Sequence, residues 1–232
     1  GRTESVALLG LSGSVVEIEV DIADGLPGFS LLGLPDAALS ESRDRVRAAL
    51  TNCSEAWPNK KVTVSLSPAW LPKSGSGFDL SIALAMLIAQ QTLPQAPFLH
   101  TTILGELALD GKIRAVRGVL PALIAAYKAG IRRAIVPTAN RAEAKLMSAM
   151  EVLTFATLQE VLMWARTGVT PQVQELDLEI DDSASYLDFA DVAGQSKARQ
   201  AAEIAASGGH HLLLIGPPGA GKTMIASRIP TI

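Results

Sequence analysis

Eight residues near the end of the sequence have the types and spacing needed to bind the phosphates of a nucleotide. They read GPPGAGKT and fit the pattern G-x-x-x-x-G-K-[S/T]. Glycines let the backbone turn so that successive N–H groups face one hollow and can donate to phosphate oxygens. Lys222 would reach the β and γ phosphates, and the Thr223 hydroxyl would be a ligand of Mg²⁺. The predicted site consists of Gly216, Pro217, Pro218, Gly219, Ala220, Gly221, Lys222 and Thr223.

The elements predicted around this loop are those that the motif requires. His211–Ile215 is apolar and predicts a short buried strand before the loop, and the segment KTMIASR is compatible with a helix that begins at Lys222. An Ala-rich helix is predicted at Gln195–Ser207, ended by two glycines. A chance glycine–proline turn is the alternative, but the order of strand, loop and helix favours a nucleotide site.

Hydrolysis of a bound nucleotide requires further groups after the loop. ATPases with such a loop also use an acid on a later strand and an arginine, often from a neighbouring subunit. Only nine residues follow Thr223, from Met224 to Ile232. We therefore expect the chain to be a fragment that contains no catalytic residues, and we expect a strand ending in Asp-Glu beyond Ile232.

Before residue 168, strand-like and helix-like segments alternate, as in an α/β or α+β domain. The predicted strands are Val15–Ile22, Phe29–Leu32, Val62–Leu66, Thr102–Leu109, Ala134–Pro137 and Val152–Phe155. The predicted helices are Ala37–Leu50, Asp79–Ala89, Val119–Ala129, Arg141–Met150 and Leu158–Thr167. Turn sequences such as DGLPG and LDGK separate these elements.

A run of acidic residues separates this domain from the nucleotide loop. Acidic side chains recur from Glu175 to Asp191 without any Lys or Arg, whereas the preceding sequence is nearly neutral. Such a composition is typical of a solvated linker. We predict a first domain at residues 1–168, an acidic linker at 169–187 and the start of a second domain at 188–232.

Several motifs together resemble one protein family. Residues 188–223, DFADVAGQSKARQAAEIAASGGHHLLLIGPPGAGKT, resemble the start of the AAA+ ATPase domain of magnesium chelatase-like proteins. Residues 25–50, 66–87 and 104–126 resemble the ChlI-type domain of the ComM/YifB family, in stretches such as GLPGFSLLGLPD, LPKSGSGFDL and LGELALDGKIRAVRG. The chain therefore resembles the N-terminal part of a ComM/YifB protein.

This resemblance implies a fold and an activity. The first domain would have the fold shared by Lon protease and ribosomal protein S5 domain 2. The full-length protein would be a hexameric ATPase that uses ATP and Mg²⁺ to drive branch migration of DNA in natural transformation. The family's D-V-x-G-Q stretch, Asp191–Gln195 in this sequence, would lie close to the nucleotide.

Two alternatives to this activity remain open. One is a chelatase-type motor that couples ATP to the insertion of Mg²⁺ into a porphyrin. The other is a module for oligomerisation or recruitment without enzymatic activity.

A Lon-like domain raises the question of a Ser–Lys dyad, in which the lysine accepts the proton of the serine nucleophile. Aligning the following helix places Gly77 at the nucleophile position, and the resemblance places Leu120 at the lysine position. Neither side chain can do this chemistry, so we expect no proteolysis. Lys73, Ser74 and Ser76 are interpreted as a flexible polar loop that caps the helix, with a partner or DNA contact as the alternative.

The segment ESRDRVRAAL contains three arginines that could contact nucleic acid, Arg43, Arg45 and Arg47. Acidic neighbours in the same predicted helix favour a solvated, ion-paired face instead. Two further basic pairs are interpreted as ordinary strand entries, Lys60–Lys61 and Arg132–Arg133. A cluster of several of these side chains in space would favour phosphate contacts.

The composition favours a folded protein of the cytoplasm. The 232 residues are 48% hydrophobic with a net charge of −3, and no apolar run is long enough to span a membrane. Cys53 is the single cysteine, so an internal disulfide is excluded. No metal site is expected from the histidines, His100, His210 and His211. The tryptophans are predicted to pack in the core or an interface, Trp57, Trp70 and Trp164.

Overall fold

The computed structural model describes residues 1–10, 12–170 and 188–232. Contacts within the chain form two compact units, Gly1–Gln172 and Val173–Ile232. The predicted linker at 169–187 lies almost wholly outside the described residues, so its boundaries stay predictions.

The strands are β1 (Arg2–Leu9), β2 (Ser12–Ala23), β3 (Gly28–Leu32), β4 (Lys61–Ser67), β5 (Thr101–Ile103), β6 (Glu106–Leu107), β7 (Ile113–Arg114), β8 (Arg133–Pro137) and β9 (Glu151–Phe155). The helices are α1 (Ala37–Ser40), α2 (Ser42–Asn52), α3 (Asp79–Ala89), α4 (Val119–Lys128), α5 (Arg141–Lys145), α6 (Leu158–Thr167), α7 (Ser196–Gly208) and α8 (Lys222–Ala226). Short 3₁₀ turns occur at Ala96–Phe98, Thr138–Asn140, Phe189–Asp191 and Ile229–Thr231.

A mixed sheet of seven strands forms the middle of the first unit, in the order β3-β4-β2-β1-β5-β8-β9. Strands β1, β5, β8 and β9 run parallel, and so do β3 and β4, whereas β2 is antiparallel to both β1 and β4. The small strands β6 and β7 pair only with each other in the described chain. The half formed by β1, β5, β8 and β9 is therefore parallel. Strand β2 joins it to the other half, which contains β3 and β4.

Helices cover the two faces of this sheet unequally. Helices α2, α3 and α6 share one hydrophobic core with the sheet, and α4 and α5 share another with residues of β1 and β8. The parallel strands β5 and β8 are buried along almost their whole length. In β4 every second residue is fully buried. The parallel half is thus covered on both faces, and the antiparallel half mainly on one.

The central helix α3 is buried on all sides, with ten of its eleven residues inaccessible to solvent. A helix that is apolar all round must lie inside a domain. Two hydroxyl groups tie it to the sheet: Thr3 Oγ1 of β1 donates to the Ser81 carbonyl at 3.0 Å, and Ser81 Oγ donates to the Ile103 carbonyl of β5 at 2.8 Å. Helix α3 therefore fixes β1 and β5 from one face.

Most elements occur where hydrophobic periodicity predicted them, but three predicted segments are wrong in extent. The strand predicted at Thr102–Leu109 divides into β5 and β6, because the Gly105 N–H turns to the Gly77 carbonyl at 2.9 Å. The helix predicted at Ala37–Leu50 divides at Glu41. Just before this point, the Ala38 carbonyl accepts a hydrogen bond from an Arg45 guanidinium N–H at 2.9 Å.

The third segment of wrong extent is a helix, and one strand was missed. The helix predicted at Arg141–Met150 ends at Lys145, because turns such as that from the Met150 N–H to the Met147 carbonyl lead into β9. Strand β1 was not predicted at all. Its inward positions include the polar residues Thr3 and Ser5, which are both buried, so the apolar alternation that marks a half-buried strand is missing.

A buried ion pair joins α2 to the start of α3. Arg45 donates to both carboxylate oxygens of Asp79, from Nε at 2.6 Å and from Nη2 at 3.0 Å. The Asp79 side chain is 0% exposed and that of Arg45 is 19% exposed. The Leu107 N–H of β6 donates to the same carboxylate at 3.3 Å. Asp79 thus holds three elements together at one point.

We expect Arg45→Met to lower the free energy of unfolding by about 3 kcal/mol near pH 7.5, because the Asp79 carboxylate stays buried without its cation. Burial raises the pKa of Asp79 to about 6, although Arg45 and the Leu107 N–H oppose that rise. The folded chain therefore holds a proton in a pH range where the unfolded chain has lost it. The stability that Asp79 contributes is present below about pH 4 and is lost as the pH rises through about 6.

The loss caused by Arg45→Met should accordingly be smaller near pH 5, where Asp79 is largely protonated, than near pH 7.5. Urea unfolding followed by circular dichroism measures both values. Arg43→Met is the matched control, because Arg43 lies exposed on the same helix, and we expect it to change stability by less than about 0.5 kcal/mol. Equal losses at the two pH values would contradict the role given to Asp79.

Candidate functional site

The residues predicted to bind phosphate form an exposed turn that leads directly into α8. Gly219 and Gly221 have φ angles of +80° and +78°, in the left-handed region that favours glycine. The Ala220 N–H donates to the Pro217 carbonyl at 3.3 Å, and α8 begins at Lys222. The backbone therefore turns where the glycines of the motif stand.

The Lys222 ammonium lies against the main chain of the same turn. Its Nζ donates to the carbonyls of Gly216 and Pro217, each at 2.8 Å. Gln195 reaches the turn from the start of α7, with Nε2 donating to the Ala220 carbonyl at 3.3 Å. The stretch Asp191–Gln195 thus ends beside the loop, where the resemblance predicts it.

Thr223, the predicted ligand of Mg²⁺, is the second residue of α8 and is exposed. Its carbonyl accepts the Ser227 N–H at 2.9 Å, within the helix. Within the described ranges, no three His, Cys, Asp or Glu side chains converge as metal ligands. A metal ion at Thr223 would need phosphate oxygens and water as its other ligands, as Mg²⁺ commonly has.

The strand predicted at His211–Ile215 is wrong for this chain. The segment is not assigned to a strand, and Leu213 and Ile215 are 80% and 86% exposed. A strand needs a neighbour for its backbone hydrogen bonds, and residues 188–232 contain no other strand to pair with it. His211 therefore does not lie at the entry of a buried strand.

A small apolar cluster anchors the loop within the second unit. It consists of Phe189, Val192, Ala202 and Ile225. Arg199 of α7 stacks its guanidinium over the Phe189 ring at 5.6 Å and donates to the Val192 carbonyl at 3.0 Å. Because Ile225 belongs to α8, this cluster holds the helix that follows the turn at Gly216–Thr223.

A second candidate site is a cleft of about 420 Å³ in the first unit. Its walls come from β1, from the loop before α3, from the end of β5 and from the segment that leads into α4. The lining residues include Val6, Leu8, Ser76, Gly77, Glu106 and Arg117. This cleft contains the position at which the resemblance would put a serine nucleophile.

The two dyad positions carry no catalytic side chains. Gly77 lines the cleft, and a Cβ added there would meet Val116 Cγ1 at 3.8 Å, an ordinary contact distance. Leu120 lies in the first turn of α4, where its N–H donates to Glu143 Oε1 at 2.8 Å. An aliphatic side chain at this position cannot accept a proton from a hydroxyl.

The loop before α3 differs from its predicted role as a flexible helix cap. Lys73 is only 1% exposed, and its Nζ donates to the Leu66 carbonyl at 2.8 Å and to the Pro68 carbonyl. Burial lowers the pKa of Lys73. The position before α3 is Phe78, and no side chain caps the helix. The predicted cap is therefore wrong, because Lys73 anchors the loop from inside the domain.

Ser76 has a partner that the sequence did not indicate. Its Oγ donates to the Glu106 carboxylate, and Arg114 Nη1 lies 3.4 Å from Glu106 Oε1. The three side chains form a polar row from the loop to the β6–β7 pair. Because they lie far apart in the sequence, only the fold reveals the row.

The basic residues considered for nucleic acid are mostly engaged within the protein. Arg45 belongs to the buried pair with Asp79, a partner that the sequence analysis missed, and also lies 3.4 Å from Glu41. Arg133 pairs with Glu151 at 2.8 Å, and Arg132 stacks on the Tyr127 ring at 4.1 Å. The interpretation as a solvated face is therefore wrong for Arg45, which is largely buried against a different helix.

The tryptophans differ in their surroundings. Trp164 is buried between Phe98 and Phe155, and Trp57 lies 5.9 Å from the Phe29 ring. Trp70 is 75% exposed, which excludes packing in the core for this residue, and packing in an interface stays a prediction.

Two family models match the chain. The model described as "Subunit ChlI of Mg-chelatase" matches residues 18–140, and the model described as "Magnesium chelatase, subunit ChlI" matches residues 188–232. The first match includes the whole lining of the cleft except β1. The second match includes the turn at Gly216–Thr223.

Three curated relatives are similar over nearly the whole chain. An uncharacterized protein of Mycobacterium tuberculosis is 52% identical over 232 residues, YifB of Salmonella typhimurium is 42% identical over 226 residues, and the competence protein ComM of Haemophilus influenzae is 41% identical over 230 residues. These alignments cover 97–99% of the chain and 44–46% of the relatives. The chain thus spans about half the length of the curated relatives it matches.

A more distant similarity concerns the fold of the first unit. A Lon protease of Salinispora arenicola is 26% identical over 193 residues, which cover 77% of the chain and 24% of that protease. Together with the mixed α/β sheet, this similarity confirms the predicted Lon-like fold, of the ribosomal protein S5 domain 2 type. Among the described helices, none combines the length and the apolar character that a membrane span requires.

We expect Gly77→Ser to fold normally and to gain no peptidase activity. The added side chain meets only an ordinary contact, and Leu120 leaves the new hydroxyl without the base that activates a serine. Thermal unfolding and the hydrolysis of fluorescein-labelled casein measure the two effects, with Gly77→Ala as the matched control. Casein hydrolysis by the serine variant alone would show that another group, such as Glu106, acts as the base.

Proposed function

Because this chain belongs to the magnesium chelatase-like family that includes ComM and YifB, we propose that Gly216–Thr223 bind ATP with Mg²⁺. We further propose that the full-length protein is an ATP-driven motor that moves branched DNA in the cytoplasm. The Lon-like domain would contribute to assembly or recognition without cleaving peptides.

The arrangement of Lys222 and the two left-handed glycines carries the proposal for ATP binding. Glycine at positions 219 and 221 allows the left-handed φ angles of the turn, and in loops of this motif such angles direct backbone N–H groups toward a bound phosphate. Gly216 to Gly219 are exposed, so phosphate oxygens can reach the main chain of the turn once the Lys222 ammonium moves. The residues present therefore fit a triphosphate.

Lys222 would exchange partners when ATP binds. Its ammonium is held by two neutral carbonyls of the turn, and phosphate oxygens with full negative charge are stronger acceptors. The exchange would move the ammonium away from Gly216 and Pro217 and free the centre of the turn. Thr223 would offer its hydroxyl to the Mg²⁺ that accompanies ATP.

The exposed segment 212–215 supports an incomplete ATPase domain in this chain. Leu213 and Ile215 are far more exposed than apolar residues of a folded strand, and apolar side chains gain free energy when they are removed from water. We infer that further strands of the longer protein cover and pair with this segment. The 232-residue chain alone should therefore bind ATP weakly and hydrolyse it negligibly.

Hexamer formation and action on DNA are proposed from the family. The resemblance implies them, and one relative is named a competence protein. The whole sequence has a net charge of −3 rather than a strongly basic balance, so the main DNA contacts are expected in the rest of the full-length protein.

Replacing Lys222 in the full-length protein tests the proposal. We expect Lys222→Ala to weaken the binding of a fluorescent ATP analogue about tenfold or more, because a charge-assisted contact to phosphate is lost. The same variant should lose ATP-dependent branch migration of a synthetic four-way DNA junction. Lys145→Ala is the matched control, because Lys145 is an exposed lysine of the first unit.

Two results would overturn the proposal. If Lys222→Ala kept full branch migration, ATP binding at this loop would not be required for that activity. Normal ATP hydrolysis without any DNA activity, together with Mg²⁺ insertion into a porphyrin, would favour a chelatase instead.

A further inference from the structure

The cleft of the first unit lies where the central sheet splits. Strand β1 is eight residues long and β5 only three, and the register joins them at one pair, Glu4 with Thr102. Both strands run in the same direction, so their carboxyl ends point to the same edge of the sheet. Ligands of open α/β sheets bind in crevices at such carboxyl ends.

After β5 the chain turns away from β1. The Leu104 N–H donates to the Ile135 carbonyl of β8 at 2.9 Å, and the Gly105 N–H donates to the Gly77 carbonyl at 2.9 Å. From Val6 to Leu9, β1 pairs with β2 along one edge. Over the ranges that the structure describes, no strand pairs with the opposite edge of these residues.

The cleft borders this free edge of β1. Its lining includes Val6 and Leu8 of β1 and Val116 and Gly118 of the segment that leads into α4. Gly77 also lines the cleft and adds no side chain to it. Gly118 keeps α4 close to β1, since a Cβ there would lie 2.5 Å from Leu8 Cδ1. A strand edge without a pairing partner, beside an apolar wall, is the arrangement that binds peptides by strand addition.

The charge of the cleft favours an acidic ligand. The Glu106 carboxylate is already engaged by Ser76 and lies beside Arg114. Arg117 lines the cleft, is exposed and has no ion-pair partner among the residues described. The charged group of the cleft that remains available to a ligand is therefore the Arg117 guanidinium, which is positive.

We propose that this cleft binds an extended acidic peptide segment, which adds as a strand to the free edge of β1 over Val6–Leu9. Four residues of a strand span about 13 Å, and the volume of about 420 Å³ is within the usual range for ligand clefts. Main-chain hydrogen bonds to β1 hold the peptide, Val6 and Leu8 contact its apolar side chains, and Arg117 pairs with a carboxylate.

Fluorescence anisotropy with a defined probe tests the proposal on the purified 232-residue chain. The probe is a fluorescein-labelled hexapeptide that alternates valine and glutamate. Two control peptides replace glutamate by lysine, or carry N-methyl groups at alternate backbone nitrogens, which remove the donors of strand addition. We expect the acidic probe to bind and both control peptides to bind about tenfold more weakly or worse.

Matched variants locate the site. Gly77→Leu fills the cleft and should weaken binding of the acidic probe about tenfold or more. Gly28→Leu adds the same side chain on β3, where a Cβ also meets only an ordinary contact at 3.8 Å, and should bind like the unaltered chain. Arg117→Glu should reverse the preference between the acidic and basic peptides. Circular dichroism checks that each variant folds.

Hydrogen exchange adds a direct readout. The acidic probe should protect the amides of the segment Val6–Leu9, and Gly77→Leu should remove that protection. Absence of binding up to about millimolar probe would overturn the proposal. Equal binding of the N-methylated peptide would overturn strand addition and indicate recognition of a carboxylate alone. Lys222→Ala should leave peptide binding unchanged, so this inference and the proposed nucleotide site fail independently.

Discussion

The fold of the first unit depends on a carboxylate placed where water cannot reach it. Asp79 is fully buried at the start of α3, and only the bidentate contact with Arg45 and the Leu107 N–H compensate its charge. Removing Arg45 would leave the buried Asp79 carboxylate without a compensating positive charge inside the domain. The pair therefore fixes where α3 begins relative to α2 and β6. The position of Gly77, two residues earlier, follows from this, and with it the wall of the cleft.

The main feature of the second unit is exposed backbone, in contrast to the buried charge of the first unit. The turn at Gly216–Thr223 forms from local glycine geometry and from the contacts of Lys222 with its own loop. It needs little tertiary support beyond the cluster around Phe189 and Ile225. A strand, in contrast, depends on partners that supply hydrogen bonds along its whole length. This difference explains why the loop is formed in this chain, whereas residues 211–215 do not form a strand.

The sequence predicted those features whose causes are local or periodic. Helix α3 and β4 follow from their apolar residues, and the turn at Gly216–Thr223 follows from its glycines and lysine. Features that depend on distant residues were missed. Strand β1 buries Thr3 and Ser5, and Arg45 bonds Asp79, 34 positions away. The cleft was missed for the same reason, because its walls come from four separate segments.

The similarity to Lon proteases gains a physical meaning from the cleft. A protease must hold an extended peptide and also attack it, and these tasks use different parts of a site. Attack requires a nucleophile and a base, whereas holding the peptide requires a free strand edge and open space beside it. At the positions that the resemblance assigns to the nucleophile and the base, Gly77 and Leu120 supply neither group, whereas the edge of β1 at Val6–Leu9 borders an open cleft. Recognition of a peptide and its cleavage are therefore separable in such a fold.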